Sequence, residues 1–98
     1  MAVVEISVTP LGVGVGVSAY VAGCLQILKD SGLQHQLTPM GTIIEGELDD
    51  IFRVIRLMVE SPFAAGAVRV STLIKIDDRR DGSTHSIAGK VQSVMEKL

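Results

Sequence analysis

The stretch LQHQLTPMGTIIEGEL, residues 33–48, decides the fold. Its first half alternates. Leu33, His35 and Leu37 point one way and Gln34, Gln36 and Thr38 the other, which predicts a half-buried strand over 33–39. Pro39 and Gly41 punctuate the chain, and TIIEGEL predicts a further strand over about 42–48. Two strands this close form a hairpin.

On the C-terminal side, Asp49 and Asp50 open a helix, where acidic residues suit the positive end of the macrodipole. Ile51, Phe52, Ile55, Met58 and Val59 recur at helical spacing until Ser61–Pro62. AVRVSTLIKI, residues 67–76, predicts the longest strand, with Val68, Val70, Ile74 and Ile76 on one face and Arg69, Ser71, Leu73 and Lys75 on the other. DDRRDGS reads as a solvated loop, and a last helix over about 84–97 aligns Ile87, Val91, Val94 and Leu98.

On the N-terminal side, residues 3–9 alternate as a strand, with Val4, Ile6 and Val8 opposite Val3, Glu5, Ser7 and Thr9, and Pro10 ends it. The glycine-rich LGVGVGV, residues 11–17, leads to a helix over about 19–30, with Ser18 as the expected N-cap and Gly32 where a left-handed cap belongs. Val21, Cys24, Leu25 and Leu28 form its apolar stripe. The order β-α-β-β-α-β-α gives two βα units around a central hairpin. This is an α+β, ferredoxin-like βαββαβ sandwich with a four-stranded antiparallel sheet and an additional C-terminal helix, one domain over 1–98.

The 98 residues are 47% apolar, ample for one core. A domain of this size buries only about two-thirds of the surface its unfolded chain exposes, so shared surface between subunits is expected. Nine basic residues against eleven acidic, with only Arg79 and Arg80 adjacent, give no footprint for nucleic acid. Three aromatics provide little for base stacking. The start MAVVEISVTP carries Glu5 and no basic run, unlike a signal peptide, and no apolar run approaches a membrane span. A single cysteine, Cys24, points to a reducing cytoplasm.

Helices cover one face of such a sheet and leave the other open. Glu5, Ser7, Thr9, Gln36, Thr38, Glu45, Arg69, Ser71 and Lys75 fall on the open face with Val3, Ile43 and Leu73. That face is too polar for a core and too apolar to be only solvated, which suits a subunit interface, a ligand site, or both. The last helix, following the fourth strand, is expected to pack at a sheet end or on a partner.

Few groups suggest chemistry. GVGVGV is neither a dinucleotide fingerprint nor a P-loop and reads first as a loop before a helix. His35 reads as structural and His85 as a surface residue, and no third ligand for a metal is nominated. Cys24 reads as a packed thiol, and Asp77–Asp81 as a salt-bridged turn. No nucleophilic triad is identifiable, so no catalytic residue is nominated. Glu45 interrupts an apolar strand and needs a cation or hydrogen-bond donors. Pairing with Arg69 or Lys75 competes there with recognition of an amino-bearing or cationic ligand.

The segments EISVTPLG (5–12), LTPMGTIIEGELDDI (37–51) and VRVSTLIKIDDRRD (68–81) resemble the thiamine-binding protein family, and the resemblance covers essentially the whole chain. It implies a ferredoxin-like fold assembled into homodimers or homotetramers, with thiamine or its hydroxymethylpyrimidine portion as ligand. It implies no required cofactor and no catalytic activity. Set against such a ligand, Glu45 suits its amino group or its charge. Thr9, Thr38 and Thr42, with Ser7, offer hydroxyls, and Met40 can pack on a ring.

The leading expectation is a cytoplasmic small-molecule-binding protein with its site on the open sheet face near a subunit interface. The alternative is an oligomeric interaction protein whose polar face serves assembly only. An enzyme acting on a small phosphorylated metabolite is a weaker third.

Overall fold

The computed structural model describes residues 1–82 and 85–98. Its elements are β1 (Ala2–Pro10), α1 (Ser18–Ser31), β2 (Gln34–Thr38), β3 (Gly41–Gly46), α2 (Leu48–Ala64), β4 (Val70–Asp78) and α3 (Ile87–Met95). The four strands form one antiparallel sheet in the order β2-β3-β1-β4. This is the expected α+β, ferredoxin-like arrangement.

The alternation read from sequence sets the two faces. Val4, Ile6 and Ile44 turn towards α1 and α2 and are essentially fully buried, with Leu28 of α1 and Ile51 and Met58 of α2 against them. Burying side chains of this size contributes roughly 1.5–3 kcal/mol each. On the other face, Gln34, Glu45, Val3 and Asp77 stand in one row across the strands. Gln36, Ile43, Glu5 and Lys75 form the next row. α3 reaches Glu45 and Asp77 of the first row and Val3 between them is buried, whereas Glu5 and Lys75 of the second row remain exposed.

Several boundaries differ from the sequence reading. Ser18 is the first residue of α1, and Val17 takes the cap position with no side-chain bond. Gly32 does hold the left-handed cap, at φ 76°. The helix expected to stop at Ser61–Pro62 continues to Ala64, with Pro62 buried inside it. Val54 rather than Phe52 completes its buried stripe, and Phe52 is exposed. β3 ends at Gly46, and Leu48 already belongs to α2. β4 starts at Val70 and runs on to Asp78, so Asp77 and Asp78 leave the loop and join the sheet. Beyond them, Arg80 pairs with Asp78 at 2.6 Å and Arg79 with Asp81 at 2.9 Å.

The last helix is shorter than the expected 84–97, and residue 84 lies outside the described residues. Its cap is Ser86, whose hydroxyl accepts from the Gly89 N–H at 2.9 Å, which puts Gly89 in the first turn. Its apolar residues Val91, Val94, Met95 and Leu98 are all more than half exposed, and its grip on the sheet is polar. Among the described residues, no helix is long and apolar enough to cross a membrane.

Candidate functional site

The sheet is uneven at one end. Pairing of β1 with β3 stops at Ile6 and Thr42, while pairing of β1 with β4 continues to Pro10 and Val70. β1 therefore outruns the β2–β3 hairpin, whose two-residue turn is Pro39–Met40. Thr38 ties that turn together: its hydroxyl donates to the Gly41 carbonyl at 2.9 Å and accepts from the N–H groups of Met40 and Gly41. A Cβ at Gly41 would lie 3.0 Å from the Ile6 carbonyl oxygen, so glycine lets the turn sit close to β1.

The step between the strand and the turn is a cleft of about 170 Å³. Ile6 to Thr9 form one wall, Leu37 to Thr42 another, and Val17, Val21, Cys24 and Met58 the floor. Thr42 is 7% exposed, and its hydroxyl makes no hydrogen bond among the described residues. Sites for drug-sized ligands run to about 300–1,000 Å³, so this cleft suits one substituted ring. The floor carries the sulfurs of Cys24 and Met58, soft partners for a ring. Burial pushes the Cys24 thiol above its ordinary pKa, so it stays protonated and unreactive.

Five of the six residues singled out from sequence line this cleft: Ser7, Thr9, Thr38, Met40 and Thr42. The sixth, Glu45, is not in the lining. Its carboxylate accepts from the Ile87 N–H, the first of α3, at 2.8 Å. A carboxylate at a helix N-terminus satisfies an orphan donor and complements the macrodipole. Neither cation considered for it pairs with it: Lys75 stands opposite Glu5 in the register, and Arg69 precedes β4.

His85 corrects another expectation. It is 3% exposed rather than at the surface, because α3 folds back over the sheet. Its Nε2 lies 3.3 Å from Lys90 Nζ and 3.5 Å from Asp77 Oδ2, and its Nδ1 has no partner among the described residues. Lys90 binds Asp77 at 2.6 Å and holds that carboxyl below its ordinary range. His35 is half-buried, with Nδ1 at 2.8 Å from the Leu33 carbonyl. α3 occupies one end of the open face through Glu45 and Asp77. The cleft is not on that face, where the sequence reading places the site. It lies beyond the end of β3 on the helix-covered side, because Ile6, Val8 and Thr42 turn the same way as the core and Val21, Cys24 and Met58 close it from α1 and α2. No sequence signal marked the cleft, because it arises from the unequal lengths of two ladders.

The family model for thiamine-binding protein matches residues 4–95. The chain is 45% identical over 103 aligned positions to the UPF0045 protein YqgV of Bacillus subtilis, covering 100% of this chain and 98% of that protein. Among solved structures, it is similar to hypothetical protein MJ1052 of Methanocaldococcus jannaschii. The TM-score is 0.88 and the identity 34%, over 97% of this chain and 96% of the other. A Thermotoga maritima protein given a provisional thiamine biosynthesis or salvage role shares the fold, with TM-score 0.79 and 22% identity over 95% and 97% of the two chains. With a family model spanning nearly its whole length and relatives matched end to end, the chain belongs to the thiamine-binding protein family.

Proposed function

We propose that this protein is a non-catalytic, cytoplasmic binder of thiamine or a related pyrimidine, and that the cleft beside the β2–β3 turn seats the pyrimidine ring. The observation that carries this reading is the gathering of Ser7, Thr9, Thr38, Met40 and Thr42 around one cleft of single-ring size, in a chain of the thiamine-binding family. The thiazolium of thiamine would then project outward past the exposed Met40. No bound cofactor is needed for this role.

Self-association into a homodimer or homotetramer belongs to the same proposal. β4 is a nine-residue edge strand with Leu73, Ile74 and Ile76 exposed, and such an edge is a template for pairing with a second copy. Isothermal titration with thiamine tests the ligand, and absence of heat at millimolar concentration removes thiamine from the proposal. Native mass spectrometry of protein taken from cells reports the number of subunits and any retained small molecule together. A second reading, an interaction protein without a ligand, is favoured by the exposed Val91, Val94, Met95 and Leu98 of the last helix. A tight oligomer that retains and binds no heterocycle would support it.

A further inference from the structure

The cleft has a backbone wall, and its polarity follows from the sheet register. In an antiparallel ladder, a strand's residues send their N–H and C=O groups alternately to the two neighbouring strands. The Leu11 N–H donates to the Arg69 carbonyl at 2.8 Å, which continues the β1–β4 ladder and assigns the odd residues of β1 to β4. The even residues therefore face β3. Val4 and Ile6 find Ile44 and Thr42 there. The next even residue is Val8, and β3 has already ended. The Met40 N–H, which would otherwise reach it, is held by the Thr38 hydroxyl. Among the described residues nothing pairs with the Val8 N–H or C=O, and Val8 lines the cleft. Pro10 fits the same pattern. It is the following even residue, and its missing N–H falls where no ladder bond is required.

One extended residue thus presents a donor beside an acceptor at the wall of a ring-sized cleft. Unpaired peptide groups shielded from water cost free energy unless a partner arrives. The free edge is too short for an added strand, because only Val8 offers both groups before Pro10 removes the next donor. We infer that the Val8 peptide groups recognise, edge-on, a flat heterocycle carrying an amino group next to a ring nitrogen. The ring nitrogen accepts from the Val8 N–H, and the amino group donates to the Val8 C=O. The Thr42 hydroxyl, also without a partner among the described residues, meets a further polar atom of the ring. This rests on the reading of the cleft as the ligand site and adds the class of ligand edge it selects.

The test uses the wild-type chain labelled with nitrogen-15 and three probes: thiamine, 4-amino-2-methylpyrimidine and 2-methylpyrimidine. The expected result is that the first two move the Val8 amide resonance downfield and slow its hydrogen exchange. The ring lacking the amino group is expected to bind at least about tenfold more weakly. If 4-amino-2-methylpyrimidine moves Val8 and thiamine does not, the inference stands and the thiamine reading fails. Thiamine binding with the Val8 amide unmoved overturns the inference alone. Equal affinity for the two pyrimidines, or no effect of either on Val8, overturns it as well.

Discussion

The Cys24 thiol donates to the Met58 carbonyl across the α1–α2 interface at 3.4 Å. In an α-helix the Met58 carbonyl would receive the N–H of the residue four further on, which here is Pro62 and has none. A thiol on one helix thus supplies the donor that a proline on the other withholds, and α2 continues through Pro62 to Ala64.

Cys24→Ala is therefore expected to cost about 1–2 kcal/mol, as it opens a small void and leaves a buried carbonyl unpaired. In a Pro62→Ala background the helix recovers its own N–H, and the same substitution should cost at least about 0.5 kcal/mol less. Urea unfolding of the four proteins measures the coupling. Strict additivity would remove the thiol–carbonyl bond as a contributor.

Glu45 is expected to act on α3 and not on the ligand. Glu45→Ala should loosen the helix by about 1 kcal/mol, while Glu45→Gln keeps an acceptor for the Ile87 N–H and loses less. Hydrogen exchange of the α3 amides reads this directly. Weaker thiamine binding in Glu45→Gln with α3 protection unchanged would return Glu45 to the binding site.

Asp77 sets the acid response of the same helix. Its hydrogen bond to Lys90 lowers its pKa from the ordinary 3.8. A lowered folded-state value means the stabilisation is complete above the unfolded pKa and is lost as pH falls through the folded one. α3 should therefore stay docked at neutral pH and begin to release only in strong acid. Lys90→Met should return Asp77 to the ordinary aspartate range. Carboxyl carbon-13 titration of both proteins decides, and an ordinary Asp77 in the wild type would refute the pairing in solution.

Thr42→Val separates binding from folding. The hydroxyl has no partner among the described residues, so its replacement by methyl should leave the unfolding free energy unchanged or slightly higher. Affinity for thiamine should fall several-fold to about tenfold. A stability loss above about 1 kcal/mol with unchanged affinity would show the hydroxyl to be structural.

The sheet was legible in the sequence because alternation with a period of two assigns every residue to a face, and the register keeps those faces. Element ends were less legible, since they depend on partners far along the chain. Pro62 reads locally as a stop, and the donor that stands in for its missing N–H comes from Cys24, 34 residues before Met58. Glu45 was visible as a carboxylate in need of donors, but its donor is a backbone N–H 42 residues further on. His85 looked exposed for the same reason, as its burial depends on where α3 lands. Five residues of the cleft read, from sequence, as hydroxyls and a thioether suited to a ligand. Their meeting place was not legible, because it depends on β1 being longer than its neighbour.

The attachment of α3 has a consequence for how the molecule breathes. A helix held by a carboxylate cap and a lysine–aspartate pair, with its apolar stripe turned outward, can lift away without breaching the layer beneath. Such a segment is a separate opening unit, whose free energy lies well below that of global unfolding. Each excursion uncovers Val3 and the buried imidazole of His85 to water, while the strands and both covering helices keep their protons.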